Sequence, residues 1–337
     1  MWRSACAPSL LREVIESGWG RVGRLVSMRA IRIADDHTLE FVEIAEPEPR
    51  PGEVLIDVVS AGVNRADLAQ AAGSYPAPPG ASPLPGLEVS GRRRDTGEEV
   101  VALLAGGGYA EVVAVPEVQV MPAPTALSLS DAGGLIEVAA TVVSNLDIEA
   151  ELGADETVLI HGGTGGIGTF AIQFARARGS RVLTTVGSDE AVRIAVGLGA
   201  HEAWNRHATD IPEAVGDAGG ADVILDVIGG PALDDNVGML REFGRLVIIG
   251  TIGGASGELN AGTLLRKRAR IIGTALRSRR PDDKQRILRR THELVWPLLE
   301  SGAIRLPIHE RLPLAEAARA HEILRAGGHT GKIVLVP

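Results

Sequence analysis

The run Gly162-Gly163-Thr164-Gly165-Gly166-Ile167-Gly168 holds the most readable chemistry in this chain. Gly163, Gly165 and Gly168 keep the spacing GxGxxG. The aliphatic stretch Thr157–His161 runs into it, a helical pattern over Gly166–Arg178 follows, and a second aliphatic stretch comes at Arg181–Val186. A lone GxGxxG says little, but strand, turn, helix and strand together are what a dinucleotide pyrophosphate site requires. Gly163 permits the tight turn, Gly165 lets the backbone approach the pyrophosphate, and Gly168 lets helix and strand pack closely. Thr164, Gly166 and Ile167 complete the turn, and the helix behind it offers unpaired N–H groups to phosphate oxygens.

The end of the second strand bears on which dinucleotide is bound. NAD sites place Asp or Glu there to hold the ribose hydroxyls. This chain reads Thr185-Val186-Gly187-Ser188, with no carboxylate at the strand end. Gly187 and Ser188 leave room for a 2′-phosphate, and Arg193 or Arg206 can supply positive charge. Asp189 and Glu190 oppose that reading, although the first turn of a helix also suits them as caps. The expected cofactor is NADPH.

Other chemistries are excluded or disfavoured by composition. Cys6 is the only cysteine of 337 residues, so neither a disulfide framework nor a multi-cysteine metal site is expected. The histidines show no paired ligand spacing, and no metal is expected. A net charge of −9 argues against nucleic acid or an anionic membrane surface as partner. The basic run Arg266–Arg270 reads as a helix end and exposed connection. No apolar run approaches the ~20 residues of a membrane span. Met1–Ser27 lacks the apolar core of a secretory signal, and the expected location is cytoplasmic. Its arginines and serines give a faint likeness to a transit peptide, which Glu13 and Glu16 oppose. It reads as an upstream extension before a clean strand pattern that begins at Met28.

The elements that must position these residues fall into two textures. Aromatic residues are only 3% of the chain, so the core must be aliphatic. From Met28 the pattern is β-rich, with strands expected at Met28–Ile33, Thr38–Ile44, Glu53–Val63, Glu99–Leu104 and Tyr109–Val115. Asn64 and Asp67 form a capping-box-like pair at the head of a short helix. Ser128 or Ser130 caps a long helix expected to run to about Leu152. Beyond it, short aliphatic strands alternate with helices to Arg270–Leu276, the pattern of a parallel sheet buried on both faces. Helices over Pro281–Gly302 and Leu314–Ala326 and a strand at Lys332–Val336 close the chain.

Several segments together resemble one family. They are Ala61-Gly62-Val63-Asn64-Arg65-Ala66-Asp67, Tyr75 to Gly86 with Leu87-Glu88-Val89-Ser90-Gly91, and Leu103 to Glu111. To these add His161 to Gly168, Gly187-Ser188, Gly244 to Gly250, and Gly331-Lys332-Ile333-Val334-Leu335. The chain resembles the medium-chain dehydrogenase/reductase superfamily, within its zinc-independent quinone oxidoreductases of the zeta-crystallin-like and p53-inducible types. The likeness covers nearly everything from Met28 onward.

That resemblance implies an α/β fold, a GroES-like β-rich domain plus a Rossmann doubly wound parallel sheet. The implied division is an extension at 1–27, a catalytic domain at 28–143, a Rossmann domain at 144–277, and a segment at 278–337 completing the catalytic domain. Zinc-dependent relatives carry Cys where Asn64 stands and His where Leu87 stands. The resemblance puts Asn64 near the nicotinamide, Tyr75 in the quinone site, Thr141 near the nicotinamide ribose and Arg206 at the adenosine end. Gly250-Thr251 and Ala275-Leu276 would border the cofactor. Lys332 matches a cleft position, but a strand-edge lysine explains it equally well. Arg65 and Asp67 read equally well as site residues or as helix capping and surface pairing.

The implied activity is NADPH-dependent quinone reduction without zinc. Two alternatives stand beside it. One is reduction of an enone or alkenal double bond, with Tyr75 as proton donor. The other is a non-enzymatic, crystallin-like NADPH-binding protein. A homodimer through Arg270–Leu276 is expected. The chain departs from the family in the short Arg92–Gly97 turn, in Ala191 where the p53-inducible type has a lysine for the 2′-phosphate, and in residues 1–27, which have no counterpart.

Overall fold

The computed structural model describes residues 26–337. Cys6 and nearly all of the expected extension lie outside the described residues. The chain begins as a ribbon of β1 (Ser27–Ile33) and β2 (Leu39–Ala45), paired antiparallel with Met28 opposite Ile44. Five further strands follow: β3 (Glu53–Gly62), β4 (Glu88–Arg93), β5 (Glu99–Leu103), β6 (Val112–Pro116) and β7 (Val120–Pro122). A second set is β8 (Thr157–His161), β9 (Arg181–Val186), β10 (Glu202–Asn205), β11 (Ala221–Asp226), β12 (Leu240–Ile248) and β13 (Arg270–Gly273). The chain closes with β14 (Ile308–Pro313) and β15 (Lys332–Val336).

These strands form two main sheets. One has the order β14-β15-β3-β4-β5-β7, with β6 also paired to β3. The C-terminal strands thus complete a sheet begun before the whole second set, and β15 is an interior strand flanked by β14 and β3. The other sheet is wholly parallel, with the order β10-β9-β8-β11-β12-β13. Every residue of β8 is buried, as a central strand covered by helices on both faces requires. Phe170 and Phe174 of the helix Gly166–Ala177 pack beside Val158, Ile160 and Val182. The chain order reverses between β8 and β11, and the crevice beyond the carboxyl ends of those strands is where such sheets bind ligands.

The long helix expected from Ser128 to Leu152 is broken into three pieces. Leu129–Ala132 is one turn, Ile136–Val142 is α-helical, and Val143–Glu149 is π-helical. The first break falls at Gly133-Gly134, where the chain runs against β3. A Cβ on Gly133 would lie 1.9 Å from Ser60 Oγ. The π turn has its own cause. Asn145 Nδ2 donates to Thr141 O at 2.7 Å, and Thr274 Oγ1 donates to Asn145 Oδ1 at 2.6 Å. β13 stops at Gly273 rather than reaching Leu276; Thr274, next in the chain, still donates its N–H to Ile248 O at 3.2 Å while its hydroxyl holds Asn145.

Strands β4, β7, β10 and β14 and the helix Ile211–Asp217 are not anticipated by the pattern. Each is short or carries charge or Pro, so none offers a clean apolar period. The basic run at 266–270 is a helix end, as expected. Arg268 adopts a left-handed cap with φ of 51° and lies 4.3 Å over the Phe243 ring. No helix among the described residues is long and apolar enough to cross a membrane.

Candidate functional site

The glycine turn sits at the carboxyl end of β8 and opens the helix Gly166–Ala177. A Cβ on Gly168 would lie 2.2 Å from Gly162 O, and one on Gly163 would lie 2.3 Å from Thr184 Oγ1. Both glycines are dictated by packing within the protein. Gly165 differs. A Cβ there would meet nothing nearer than Gly162 O at 3.6 Å, so it faces open space. Thr164, Gly166 and Ile167 are partly exposed beside it. The turn is therefore tight on its protein side and open on its outer side, a cradle fitted to a phosphate bridge.

At the end of β9, Gly187 and Ser188 are exposed. Ser188 Oγ caps the next helix by accepting from the Ala191 N–H at 3.1 Å. Its own hydroxyl proton is left to donate elsewhere. Asp189 is turned aside, accepting from Asn205 Nδ2 at 2.8 Å. The Arg206 guanidinium lies over Gly187, where a Cβ would be 3.2 Å from Nη1. Among the described residues Arg206 forms no ion pair. Gly250 and Thr251 follow β12, and Ala275 and Leu276 follow β13, on the same edge of the sheet. Thr251 and Ala275 are exposed.

The other half of the site is a buried polar cluster. Lys332, the first residue of β15, is 3% exposed and Glu88, the first of β4, is 0% exposed. Their Nζ and Oε1 are 2.8 Å apart. Lys332 Nζ also donates to Asn64 Oδ1 at 2.5 Å and to Val63 O at 3.2 Å. Asn64 Nδ2 donates to Glu88 Oε1 at 3.0 Å and approaches Gly62 O at 3.4 Å. The amide of Asn64 is thus engaged on both ends within the protein. The second Glu88 oxygen accepts from the Glu137 N–H at 3.0 Å. The strand-edge explanation of Lys332 does not hold, because β15 is interior and the ammonium is buried and paired.

This cluster meets the glycine turn directly. The Gly331 N–H donates to Thr164 O at 3.0 Å, and a Cβ on Gly166 would be 2.8 Å from Lys332 Cδ. Asn64, Lys332, Glu88 and the turn are therefore brought together at the junction of the two sheets. Thr141 lies on the adjoining helix, and its hydroxyl donates to Glu137 Oε1 at 3.3 Å. Glu137 is the one partly exposed residue of that helix. Burial pushes its carboxyl up to about 7; Lys332 opposes this, while Glu88 and Asp67 add to it.

Tyr75 stands on a different wall. Arg277, 5% exposed, lies 5.2 Å from the Tyr75 ring centre. It donates to Tyr75 O at 3.1 Å, to Ala105 O at 2.8 Å and to Gln70 Oε1 at 2.6 Å. An arginine just beyond the parallel sheet thus clamps the loop that carries Tyr75. Asp67 is not at the surface. It is fully buried and accepts from the Asn64 and Gly86 N–H groups and the Tyr109 hydroxyl, at 2.8, 3.1 and 3.0 Å. Burial raises its carboxyl to about 6. Glu88, Glu137 and Arg277 stand around this junction and the Tyr75 loop, and none is among the site residues that the sequence reading names. Glu137 has a signal in the sequence: it is the only charged residue between Ala132 and Val143.

The raised Glu137 carboxyl has a consequence for stability. A carboxyl whose folded pKa lies above its unfolded value weakens the fold once pH exceeds the unfolded value. That penalty grows until pH passes about 7. Glu137→Gln should therefore be more stable than the parent at pH 8, by at most about 3 kcal/mol. The advantage should vanish as pH falls toward the ordinary carboxylate range. Urea midpoints at the two pH extremes read it, and a difference independent of pH would refute it.

Comparison with known proteins fits these halves. A family described as the alcohol dehydrogenase GroES-like domain matches residues 50–125, and one described as zinc-binding dehydrogenase matches residues 166–293. The quinone oxidoreductase of Mus musculus is 32% identical over 329 residues, covering 92% of this chain and 98% of that one. That of Pseudomonas aeruginosa is 30% identical, covering 89% and 95%. Among solved structures, the quinone oxidoreductase of Thermus thermophilus, determined alone and with NADPH, superposes with a TM-score of 0.80. It is 32% identical and covers 92% of this chain and 100% of that one. The Escherichia coli quinone oxidoreductase with NADPH gives 0.81 at 25% identity, covering 93% and 100%.

One of the matched families is described by zinc, and the residues here do not suit that ion. Asn64 and Leu87 offer an amide and an alkyl group, and the Glu88 carboxylate is already held by an ammonium. Among the described residues no group of three or more His, Cys, Asp or Glu could hold a metal.

Proposed function

The chain belongs to the quinone oxidoreductase family of the medium-chain dehydrogenases and reductases, and from that membership we propose that it reduces quinones with NADPH, without zinc, in the space between its two sheets. The observation that carries this reading is the junction itself. The open glycine turn is bonded through Gly331 to the strand that bears Lys332, and Lys332 fixes Asn64 and Glu88. A phosphate cradle and a dry, fully paired polar cluster then face one substrate.

NADPH supplies a hydride when bound. The chain's own residues bind, orient and exclude water. Backbone N–H groups at the head of the helix Gly166–Ala177 take the pyrophosphate. The Ser188 hydroxyl and the Arg206 guanidinium take the 2′-phosphate, which supports NADPH over NADH despite Ala191. Tyr75, braced by Arg277, lines the acceptor side with an aromatic face suited to a flat, electron-poor ring. Thr141 borders the nicotinamide ribose, with Gly250, Thr251, Ala275 and Leu276 along the far wall. The open edge of β13 is the dimer contact in this reading, and light scattering should return twice the chain mass.

Steady-state consumption of NADPH and NADH, with and without 1,2-naphthoquinone, tests the reading. Quinone-dependent loss of NADPH, well above that of NADH, is the expected result. NADPH binding without turnover of quinone would overturn it in favour of a binding protein. Turnover of an enone alone would favour double-bond reduction. Arg206→Ala should raise the KM for NADPH by ~10–100-fold, the worth of one charge-assisted hydrogen bond, and leave that for NADH unchanged. Equal effects on both would remove the 2′-phosphate contact.

A further inference from the structure

A hydride added to a quinone, or to the β-carbon of an enone, leaves one negative charge on the substrate. That charge needs a proton. The groups facing the site differ in their ability to give one. Both amide hydrogens of Asn64 are directed at Glu88 and Gly62. Lys332 is committed to Glu88, Asn64 and Val63. Thr141 donates its hydroxyl hydrogen to Glu137. Tyr75 stands on the other wall, its ring against Arg277, so Glu137 is left as the acid at the junction, a partly exposed residue on a helix otherwise buried.

The geometry points to Glu137 as the proton donor to the substrate oxyanion, with Thr141 holding the carboxyl in place. This rests on the hydride-transfer reading above. In the step, the Glu137 O–H bond breaks and a substrate O–H bond forms. The hydride electrons stay on the reduced substrate, and the carboxylate regains its proton from water, Glu137 being a partly exposed residue. NADPH, one proton and a quinone thus give NADP+ and a hydroquinone.

The surroundings suit such an acid. Lys332 of β15, Glu88 of β4 and Asp67 of the helix Arg65–Ala71 are the charged groups that act on it, and their effects oppose one another. Strand β5 and the helices Gly166–Ala177 and Pro281–Glu300 meet this region through apolar side chains. Desolvation then keeps the carboxyl protonated near neutral pH.

Three variants and one spectroscopic readout test the proposal. In the parent, kcat with 1,2-naphthoquinone should fall as pH rises through about 7. Glu137→Gln should lower kcat by ~100-fold, leave NADPH binding intact and abolish that fall. Glu137→Asp should restore part of the rate together with the pH dependence. Thr141→Val should keep the acid but shift the midpoint. Independently of turnover, a protonated-carboxyl C=O infrared band should titrate near pH 7 in the resting protein and be missing from Glu137→Gln. A Glu137→Gln variant with the parent's kcat and pH profile sinks the proposal while leaving the reductase intact, and so does a carboxyl band titrating near pH 7 that is undiminished in it; the band of Asp67, whose carboxyl is raised to about 6, is expected in both proteins. A parent that binds NADPH yet reduces neither acceptor sinks the reductase reading first, and this proposal with it.

Discussion

Replacing Lys332 by methionine is expected to cost the fold about 3–5 kcal/mol at neutral pH, the penalty for stranding one partner of a buried ion pair. The aliphatic length is kept, so packing against the glycine turn is largely preserved. What is lost is the ammonium that faces Glu88 at 2.8 Å. Glu88 is 0% exposed and cannot turn to water. It would keep only the Asn64 amide and the Glu137 N–H as partners. Glu88→Gln alone should also be costly, because it leaves the ammonium buried without a counter-charge. The two changes together should recover most of the loss, since a buried pair replaced as a unit removes both desolvation penalties. Urea unfolding of the four proteins closes this cycle. Additive losses in the double variant would mean that the two side chains stabilise the junction independently.

Lys332 also shows what can and cannot be read from the chain. A lysine opening an aliphatic run looks the same on an edge strand and on an interior one. Its neighbour β14 decides the matter, and Ile308-His309-Glu310-Arg311-Leu312-Pro313 carries too much charge to announce itself as a strand. The parallel sheet is legible because its strands are short aliphatic runs buried on both faces, and its glycine turn is a local motif. The first sheet depends on pairings between distant segments, such as Val334 with Gly62. No local pattern encodes those. The broken helix beyond Ser128 escapes the pattern for a related reason. Its break answers to Ser60 across the sheet, and its π turn to Thr274 far along the chain. Glu137 is easily passed over, although it is a lone carboxylate in an aliphatic stretch. Such an isolated charge, costly to bury, is the kind of local inconsistency that accompanies function.

Gly165 gives the largest expected effect on ligand binding, because there the requirements of fold and ligand separate. Its φ of −70° and ψ of 174° are open to any residue. A Cβ would find its nearest neighbour at 3.6 Å, an ordinary contact. Gly165→Val should therefore fold as the parent does, with an unchanged Tm. The added methyl groups must occupy the outer side of the turn, over the first N–H groups of the helix. A pyrophosphate lying on those groups would be pushed out of hydrogen-bond reach. NADPH affinity should fall by at least ~100-fold, or about 3 kcal/mol. Gly168→Ala is the matched contrast. Its Cβ would lie 2.2 Å from Gly162 O and 2.7 Å from Gly163 Cα, so the turn itself must open. That variant should lose stability and NADPH binding together. Thermal unfolding and NADPH fluorescence on both proteins separate the two cases. A Gly165→Val protein that binds NADPH as tightly as the parent would mean that the dinucleotide does not cross this turn, and the cradle would have to be sought elsewhere along the sheet.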